Sequence, residues 1–169
     1  MPFADKLYRA LNPLWARDPL SGAGAAQHGG RFNPRGMPAL YCSLSPITAL
    51  REANQVGDLQ PVTLVSYSAV IERVFDSRDV SALGERGQTP AALADPGWRD
   101  AMLRHGEAPS QAFALALEAD GFDGLLVRSF ARGTGPADLN LVLWRWGPSA
   151  PHRLELIDDE NRLAPPSPS

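Results

Sequence analysis

The sequence lacks most of the patterns that would assign a protein of this size to a common class. Its 169 residues include one cysteine, Cys42, so no internal disulfide can form, and there is no cysteine–histidine cluster of zinc-finger type. No apolar run approaches the roughly 20 residues needed to span a bilayer. The first residues show no basic segment followed by an apolar run, which predicts no signal peptide. These absences favour a reduced, cytoplasmic, globular protein.

An excess of basic residues is also missing. The formal net charge is -3 and the sequence pI is about 5.6, which argues against direct binding to a long nucleic acid. A small phosphate-bearing ligand stays compatible with this balance, because it needs only one or two local arginines. The 44% of hydrophobic residues is enough to build a core.

Several motifs with a known chemistry are absent from the sequence. There is no G-x-x-x-x-G-K-[ST] phosphate loop and no G-x-G-x-x-G between a strand and a helix. The three histidines are scattered, no H-E-x-x-H occurs, and there is no G-x-S-x-G elbow. Ordinary hydrolase, kinase and zinc-enzyme functions therefore have little support.

The chain shows strand and helix patterns in irregular alternation. We predict strands over 6–11, 38–43, 61–75, 125–127, 139–146 and 152–158, and helices over 45–57, 98–106 and 109–121. The strand over 61–75 is expected to be central and bent, the last helix to be capped by Ser110, and the glycine-rich stretch 17–37 to be a loop or short strands. The mixture predicts one α+β domain over residues 1–160, followed by a disordered tail over 161–169.

The helix predicted over 45–57 has a clear beginning and end. Ser45 is a suitable cap residue, and Gly57 can end the helix. The spacing of Ile47, Leu50 and Ala53 predicts that these three side chains face the core.

The densest group of special residues is HGGRFNPRGMPALYCSLSPITALREA, residues 28–53. Two consecutive glycines, Gly29 and Gly30, allow a positive φ or a close approach of the backbone to a ligand, and Arg31 after them suits a pyrophosphate. Tyr41 lies on a strand, and alternation predicts that it faces away from its neighbours Leu40 and Cys42. Glu52 lies on the next helix, so the two residues add a ring and a carboxylate. Together they fit a nicotinamide–ribose cleft, in which the carboxylate stabilises positive charge as the glycosidic bond breaks. Singly, these residues are equally compatible with a turn, a surface arginine, a core tyrosine and a solvated helix face.

The sequence resembles the RES-domain toxins of RES–Xre toxin–antitoxin modules, in segments that follow the family's order from about residue 7 to 146. These segments are LYRAL, then GAGAAQHGGRFNPRGMPALYCSLSPITALREA, then GFDGLLVRS and LNLVLW. Phe32 stands where the family usually has tryptophan. The resemblance implies a fold related to ADP-ribosyltransferase toxins, with a split β core and helices around an NAD cleft.

The resemblance also implies a site and an activity. Arg31, Tyr41 and Glu52 would form the catalytic centre. Arg9 and Ser129 would line the same pocket, with Asn140 as a further NAD-binding residue. NAD would serve as substrate without a metal, its ADP-ribose passing to a target protein or NAD being degraded by hydrolysis or phosphorolysis. Arg9 would pair with the phosphates or orient Glu52.

Partners follow from the same resemblance. The protein would be the growth-arresting toxin of a type II module, blocked by an Xre-like antitoxin with a helix-turn-helix DNA-binding part, and a homodimer within that complex is allowed. Two rivals stay open at this point. One is a phosphotransferase that uses NAD to remove phosphate from RNA, which the dispersed, acid-balanced arginines disfavour. The other is a catalytically inactive nucleotide-binding or interaction module.

Overall fold

A computed structural model of the chain describes residues 1–55 and 57–163. Seven strands form one sheet: β1 Phe3–Leu11, β2 Leu40–Ser43, β3 Thr63–Ile71, β4 Val74–Asp76, β5 Gly124–Arg128, β6 Leu139–Leu143 and β7 His152–Leu156. Six α-helices accompany them: α1 Ala23–His28, α2 Pro46–Ala53, α3 Val80–Glu85, α4 Pro90–Leu93, α5 Trp98–His105 and α6 Pro109–Ala119. The predicted single α+β domain is confirmed.

The strands lie in the order β4-β5-β6-β2-β1-β3-β7. All neighbours are antiparallel except β4 and β5. The join between β2 and β1 is narrow, because only Tyr8 and Ser43 are register partners there. By contrast, β1 and β3 pair along nine residues, from Phe3 opposite Ile71 to Leu11 opposite Thr63. The sheet is therefore nearly split in two, because one pair of residues joins its halves.

The two faces of the sheet carry separate cores. Alternation along each strand sends neighbouring side chains to opposite faces. Leu40 and Cys42 belong to one apolar cluster, which joins β1, β2, β3, β6 and β7. The opposite cluster contains Val142 of β6 and receives the apolar side chains of α3, α4 and α6. Tyr41 packs against this second cluster, which confirms the predicted separation of Tyr41 from its two neighbours.

Helix α2 differs from the predicted helix in its buried face. Ile47 is 58% exposed and Ala53 is also exposed, so the prediction that both face the core is wrong. The buried residues are Thr48 and Ala49. Thr48 is turned inward because its hydroxyl donates to a carboxylate of a distant loop, a contact that local spacing does not reveal.

Three further predictions need correction. Ser110 does not cap α6: the cap position is Ala108, whose N–H donates to the Gln111 side chain at 2.9 Å, and the Ser110 hydroxyl instead donates to a loop carbonyl. The stretch 17–37, predicted as a loop or short strands, contains helix α1. Three of the six residues of this helix are alanines, whose high helix propensity offsets the low propensity of its one glycine. The strand predicted over 61–75 is two strands, of which β3 is interior and β4 lies at the sheet edge.

At the end of the described chain, residues Asn161 to Leu163 form a turn, with the backbone N–H of Leu163 donating to Asp158 at 3.0 Å. The rest of the predicted disordered tail, 164–169, lies outside the described residues. Within the described ranges, no helix combines the length and apolar character needed to cross a membrane.

Candidate active site

Glu52 lies in the second turn of α2, which the sequence starts at a defined position. The Ser45 side chain accepts a hydrogen bond from the Thr48 N–H at 3.1 Å, and Pro46 occupies the first turn. This cap fixes the helix at the end of β2. It therefore also fixes where the carboxylate emerges, facing the sheet surface that carries Tyr41.

The Glu52 carboxylate accepts hydrogen bonds on both oxygens. Oε1 accepts from the Ser129 hydroxyl and from Asn140 Nδ2, the latter at 2.5 Å. Oε2 accepts from Nε2 of Gln55 at 2.5 Å. Ser129 and Asn140 come from the end of β5 and the start of β6, so three separate elements fix one carboxylate. Such a preorganised acid can stabilise positive charge without first reorganising.

Tyr41 is held by the loop that precedes its strand. Its hydroxyl donates to Asn33 Oδ1 at 2.7 Å and accepts from the Phe32 N–H at 3.0 Å. A Cβ at Gly30 would collide with that hydroxyl and approach Asn33 Oδ1 to 2.6 Å. Gly29 has a φ of 74°, in the left-handed region. Gly29 thus confirms the predicted positive φ, whereas the close contact at Gly30 is with Tyr41 and the predicted approach to a ligand stays a prediction.

Arg31 is anchored by main-chain carbonyls. Its Nη1 donates to the carbonyls of Leu93 and Asp95 at 3.1 and 2.7 Å. The guanidinium also lies over the ring of Phe130, 4.5 Å from the centroid, and within 5.9 Å of the Trp98 ring. Because Nη2 and Nε make no hydrogen bond within the described residues, these donors remain available to a ligand.

Electrostatics in this region are governed by burial. Desolvation lowers the pKa of Arg31, and the charges of Glu52 and Asp95 oppose that effect. Burial raises the pKa of Tyr41 well above its ordinary value. Burial likewise raises the pKa of Cys42, the neighbouring thiol, to about 12.

Arg31, Tyr41 and Glu52 surround a cavity of about 320 Å³. We call it the Glu52 cavity, and its lining is Gly29, Gly30, Arg31, Phe32, Tyr41, Glu52, Gln55, Trp98, Arg99, Val127, Arg128, Phe130, Asn140 and Val142. The sequence did not indicate Gln55, Trp98, Arg99 or Arg128. Arg99 comes from a region without a motif, and Arg128 directly precedes Ser129 in the segment GFDGLLVRS but was not singled out there. The tertiary fold brings both to this opening.

Arg9 lies in a second, larger cavity of about 530 Å³. This Arg9 cavity is lined by Arg9, Ala10, Leu11, Asn12, Trp15, Asp18, Ser21, Ala23, Gly24, Ala25, Gln27, His28, Ala39 and Tyr41. Arg9 Nη1 donates to the Pro19 carbonyl at 2.9 Å. Both β1, through Arg9, Ala10 and Leu11, and β2, through Tyr41, line this cavity. Tyr41 belongs to both cavities.

The structure therefore brings Arg31, Tyr41, Glu52 and Asn140 together around one cavity. Ser129 does not line this cavity, but its hydroxyl donates to the Glu52 carboxylate, which does. Arg9 makes its hydrogen bond to Pro19, so the partners that orient Glu52 are Ser129, Asn140 and Gln55.

A second layer of contacts joins α2 to the loop after Ser129. Asp138 accepts from the Thr48 hydroxyl at 2.7 Å and from the Gly135 N–H at 2.8 Å. Its backbone carbonyl accepts from the Ser129 N–H at 2.8 Å. The Gly135 hydrogen bond, followed by that of Thr48, lowers the pKa of Asp138. Asp138 thus ties the helix that carries Glu52 to the segment that carries Ser129.

The Glu52 carboxylate, fixed in this way, can stabilise a positive charge, and the Arg31 donors that are unpaired within the described residues can pair with phosphate oxygens. A family model described as the RES domain matches residues 6–164. The chain therefore belongs to the RES-domain family, whose members are associated with toxin–antitoxin systems and with NAD. No curated protein matches the chain.

Proposed function

We propose that this protein cleaves the nicotinamide–ribose bond of NAD and acts as the toxin of a type II toxin–antitoxin module. The ADP-ribose passes to a protein side chain, or NAD is degraded by water or phosphate. The observation that carries the proposal is the Glu52 carboxylate, held by Ser129 and Asn140 at a cavity that also contains Arg31 and Tyr41. A carboxylate in this position suits a reaction that develops positive charge on a ribose.

The two cavities suit the two ends of NAD. The nicotinamide riboside occupies the Glu52 cavity, with its ring against Tyr41. The adenosine end extends past Tyr41 into the Arg9 cavity, whose volume of about 530 Å³ is the larger. The diphosphate lies between them, within reach of the free donors of Arg31 and of Arg9, whose planar guanidinium groups match phosphate oxygens.

Each residue then has a defined role in bond cleavage. The C1′–nitrogen bond of the nicotinamide riboside lengthens, and the electron pair leaves with the neutral nicotinamide. Oε2 of Glu52 takes the ribose hydroxyls in exchange for the exposed Gln55 amide, and the carboxylate stabilises the oxocarbenium-like ribose. Ser129 and Asn140 hold Oε1 so that the carboxylate does not turn. The Tyr41 hydroxyl is committed to the protein, so the ring acts as a wall.

The experiment that tests this function is nicotinamide release from NAD by purified protein. Release in buffer alone defines a glycohydrolase, and release that requires phosphate defines a phosphorylase. Labelled NAD that marks one protein of a cell lysate defines a transferase. The control is Glu52→Gln, which should abolish each of these. No release under any condition would refute the proposed activity and favour the binding-module alternative.

A test in cells addresses the toxin role and its partner. Expression in bacteria should stop growth and lower cellular NAD, and Glu52→Gln should restore both. We propose that a cognate antitoxin with a helix-turn-helix DNA-binding part blocks the cleft, so co-expression of such a partner should also restore growth. Unimpaired growth with abundant folded protein would contradict the toxin role.

A further inference from the structure

Ser43 is a buried polar residue next to the site that no function has yet claimed. It lies two positions after Tyr41 on β2, and its register partner across the sheet is Asn140 of β6. The residue is only 3% exposed. Its hydroxyl donates to Asn140 Oδ1 at 2.8 Å. A hydroxyl buried at this level requires a partner, and Ser43 has it in a residue that contacts Glu52.

The Glu52 carboxylate determines which end of the Asn140 amide faces it, and the Ser43 hydroxyl holds the other end. An amide has a donating end and an accepting end, whereas an ionised carboxylate only accepts. With Oδ1 turned to the Ser43 hydroxyl, Nδ2 points to Glu52 Oε1, at 2.5 Å. The opposite orientation would place two acceptor oxygens against each other at Glu52. The Ser43 hydroxyl, which can donate or accept, therefore does not select the orientation; it anchors the amide oxygen in the orientation that Glu52 requires.

We propose that Ser43 is a positioning residue for Glu52 and acts through Asn140. It does not touch the substrate. Its hydroxyl fixes the Asn140 amide, the amide saturates Oε1 together with Ser129, and the other oxygen, Oε2, is left to the ribose. The catalytic part of this inference rests on the proposed function, whereas the hydrogen-bond relay itself can be measured without any turnover.

The chain offers matched variants for this test. Ser43→Ala removes the hydroxyl, and Ser43→Thr keeps it on a side chain that strands favour. Ser68→Ala, on β3 and away from both cavities, controls for the loss of a strand serine. If Ser43→Ala does not fold, Ser43→Cys replaces it, because a thiol of similar size is a weak donor.

The first readout is solvent exchange of the Asn140 side-chain amide protons, followed by nuclear magnetic resonance of the full chain. Ser43→Ala should speed this exchange about 10-fold, as expected for one lost hydrogen bond, whereas Ser43→Thr and Ser68→Ala should match the wild type. Unchanged exchange in Ser43→Ala would overturn the relay whatever the protein does to NAD. A wild type inactive on NAD would refute the proposed function and leave this comparison valid.

The second readout separates positioning from a merely structural role. Ser43→Ala should lower kcat for nicotinamide release about 10-fold and leave KM within about twofold, because only a transition-state interaction is weakened. Ser43→Thr should restore kcat. In the Asn140→Ala background, Ser43→Ala should have no further effect, since the two act as one unit. An unchanged kcat, or effects of the two substitutions that simply multiply, would overturn the proposal.

Discussion

The two cavities that meet at Tyr41 are constructed differently. In the Glu52 cavity the central carboxylate accepts hydrogen bonds from three side chains on three segments. In the Arg9 cavity, which is larger, Arg9 is held by one main-chain carbonyl and Trp15 at the rim is 70% exposed. The Glu52 cavity holds its carboxylate in a fixed position, whereas the Arg9 cavity provides a larger surface for contact with a ligand. Under the proposed function, the chemistry would take place in the smaller cavity and the larger one would supply most of the binding area.

The largest expected effect comes from Glu52→Gln. Glutamine keeps the shape and can still accept from Ser129 and Asn140, but it removes the negative charge that the transition state needs. NAD turnover should fall about 10³-fold or more, with an unchanged melting temperature. The measurement is nicotinamide release together with thermal unfolding. Glu155→Gln, an exposed change on β7, is the matched control. Turnover near that of the control would remove Glu52 from the mechanism.

A smaller effect is expected in the other cavity. Arg9→Ala removes a charge-assisted partner of the phosphates, and such hydrogen bonds account for about 1.5–3 kcal/mol. NAD binding measured by calorimetry should weaken about 10- to 100-fold, and kcat should change little. Arg162→Ala, which lies outside both cavities, should leave affinity as it is. A loss of kcat with unchanged affinity would assign Arg9 to the chemistry and abolish the distinction between the cavities.

Tyr41, which lines both cavities, is tested by the substitution Tyr41→Phe. This change deletes the hydroxyl that satisfies Asn33 and Phe32 and leaves their buried polar atoms without that partner. Stability in urea should fall by about 1–3 kcal/mol, whereas turnover, corrected for folded protein, should fall less than in Glu52→Gln. A loss of turnover as large as that of Glu52→Gln would mean that the hydroxyl takes part in the reaction.

The smallest effect concerns Asp138 and pH. Its folded-state pKa is lowered, so its stabilising contribution is present above the unfolded-state pKa, about 4. That contribution is lost as the pH falls through the folded-state value. Asp138→Asn should therefore melt below the wild type at pH 7, and the gap should narrow as the pH falls below about 4. Asp159→Asn, at an exposed position, should show no such gap. A gap that does not depend on pH would contradict the assignment.

Local patterns in the sequence predicted much of this architecture. Alternation correctly separated Tyr41 from Leu40 and Cys42, and Ser45 correctly marked the start of α2. These features depend on neighbours in the chain, so a single sequence reveals them. The proximity of Glu52 to Asn140 cannot be read from a single sequence, because it follows from the pairing of β2 with β6.

The two wrong predictions in helices α2 and α6 have the same cause, which is a contact between residues distant in the sequence. Ile47 has the spacing of a core residue, but the inward face of α2 is set by the contact between Thr48 and Asp138, 90 positions apart. Ser110 has the residue type of a cap, but its hydroxyl bonds the carbonyl of Arg31. In both cases a long-range hydrogen bond, made by Thr48 and by Ser110, overrules the local preference.

The single cysteine has a practical consequence. Cys42 lies between Tyr41 and Ser43 on a strand paired on both sides, is 1% exposed and has a thiol that burial keeps protonated. An alkylating reagent needs a thiolate in solvent, so it can react only after β2 leaves the sheet. The rate of labelling then measures how often β2, the strand that carries Tyr41, opens by local unfolding. The unmodified protein thus contains its own probe of how often this strand detaches, and of how strongly a bound nucleotide slows that detachment.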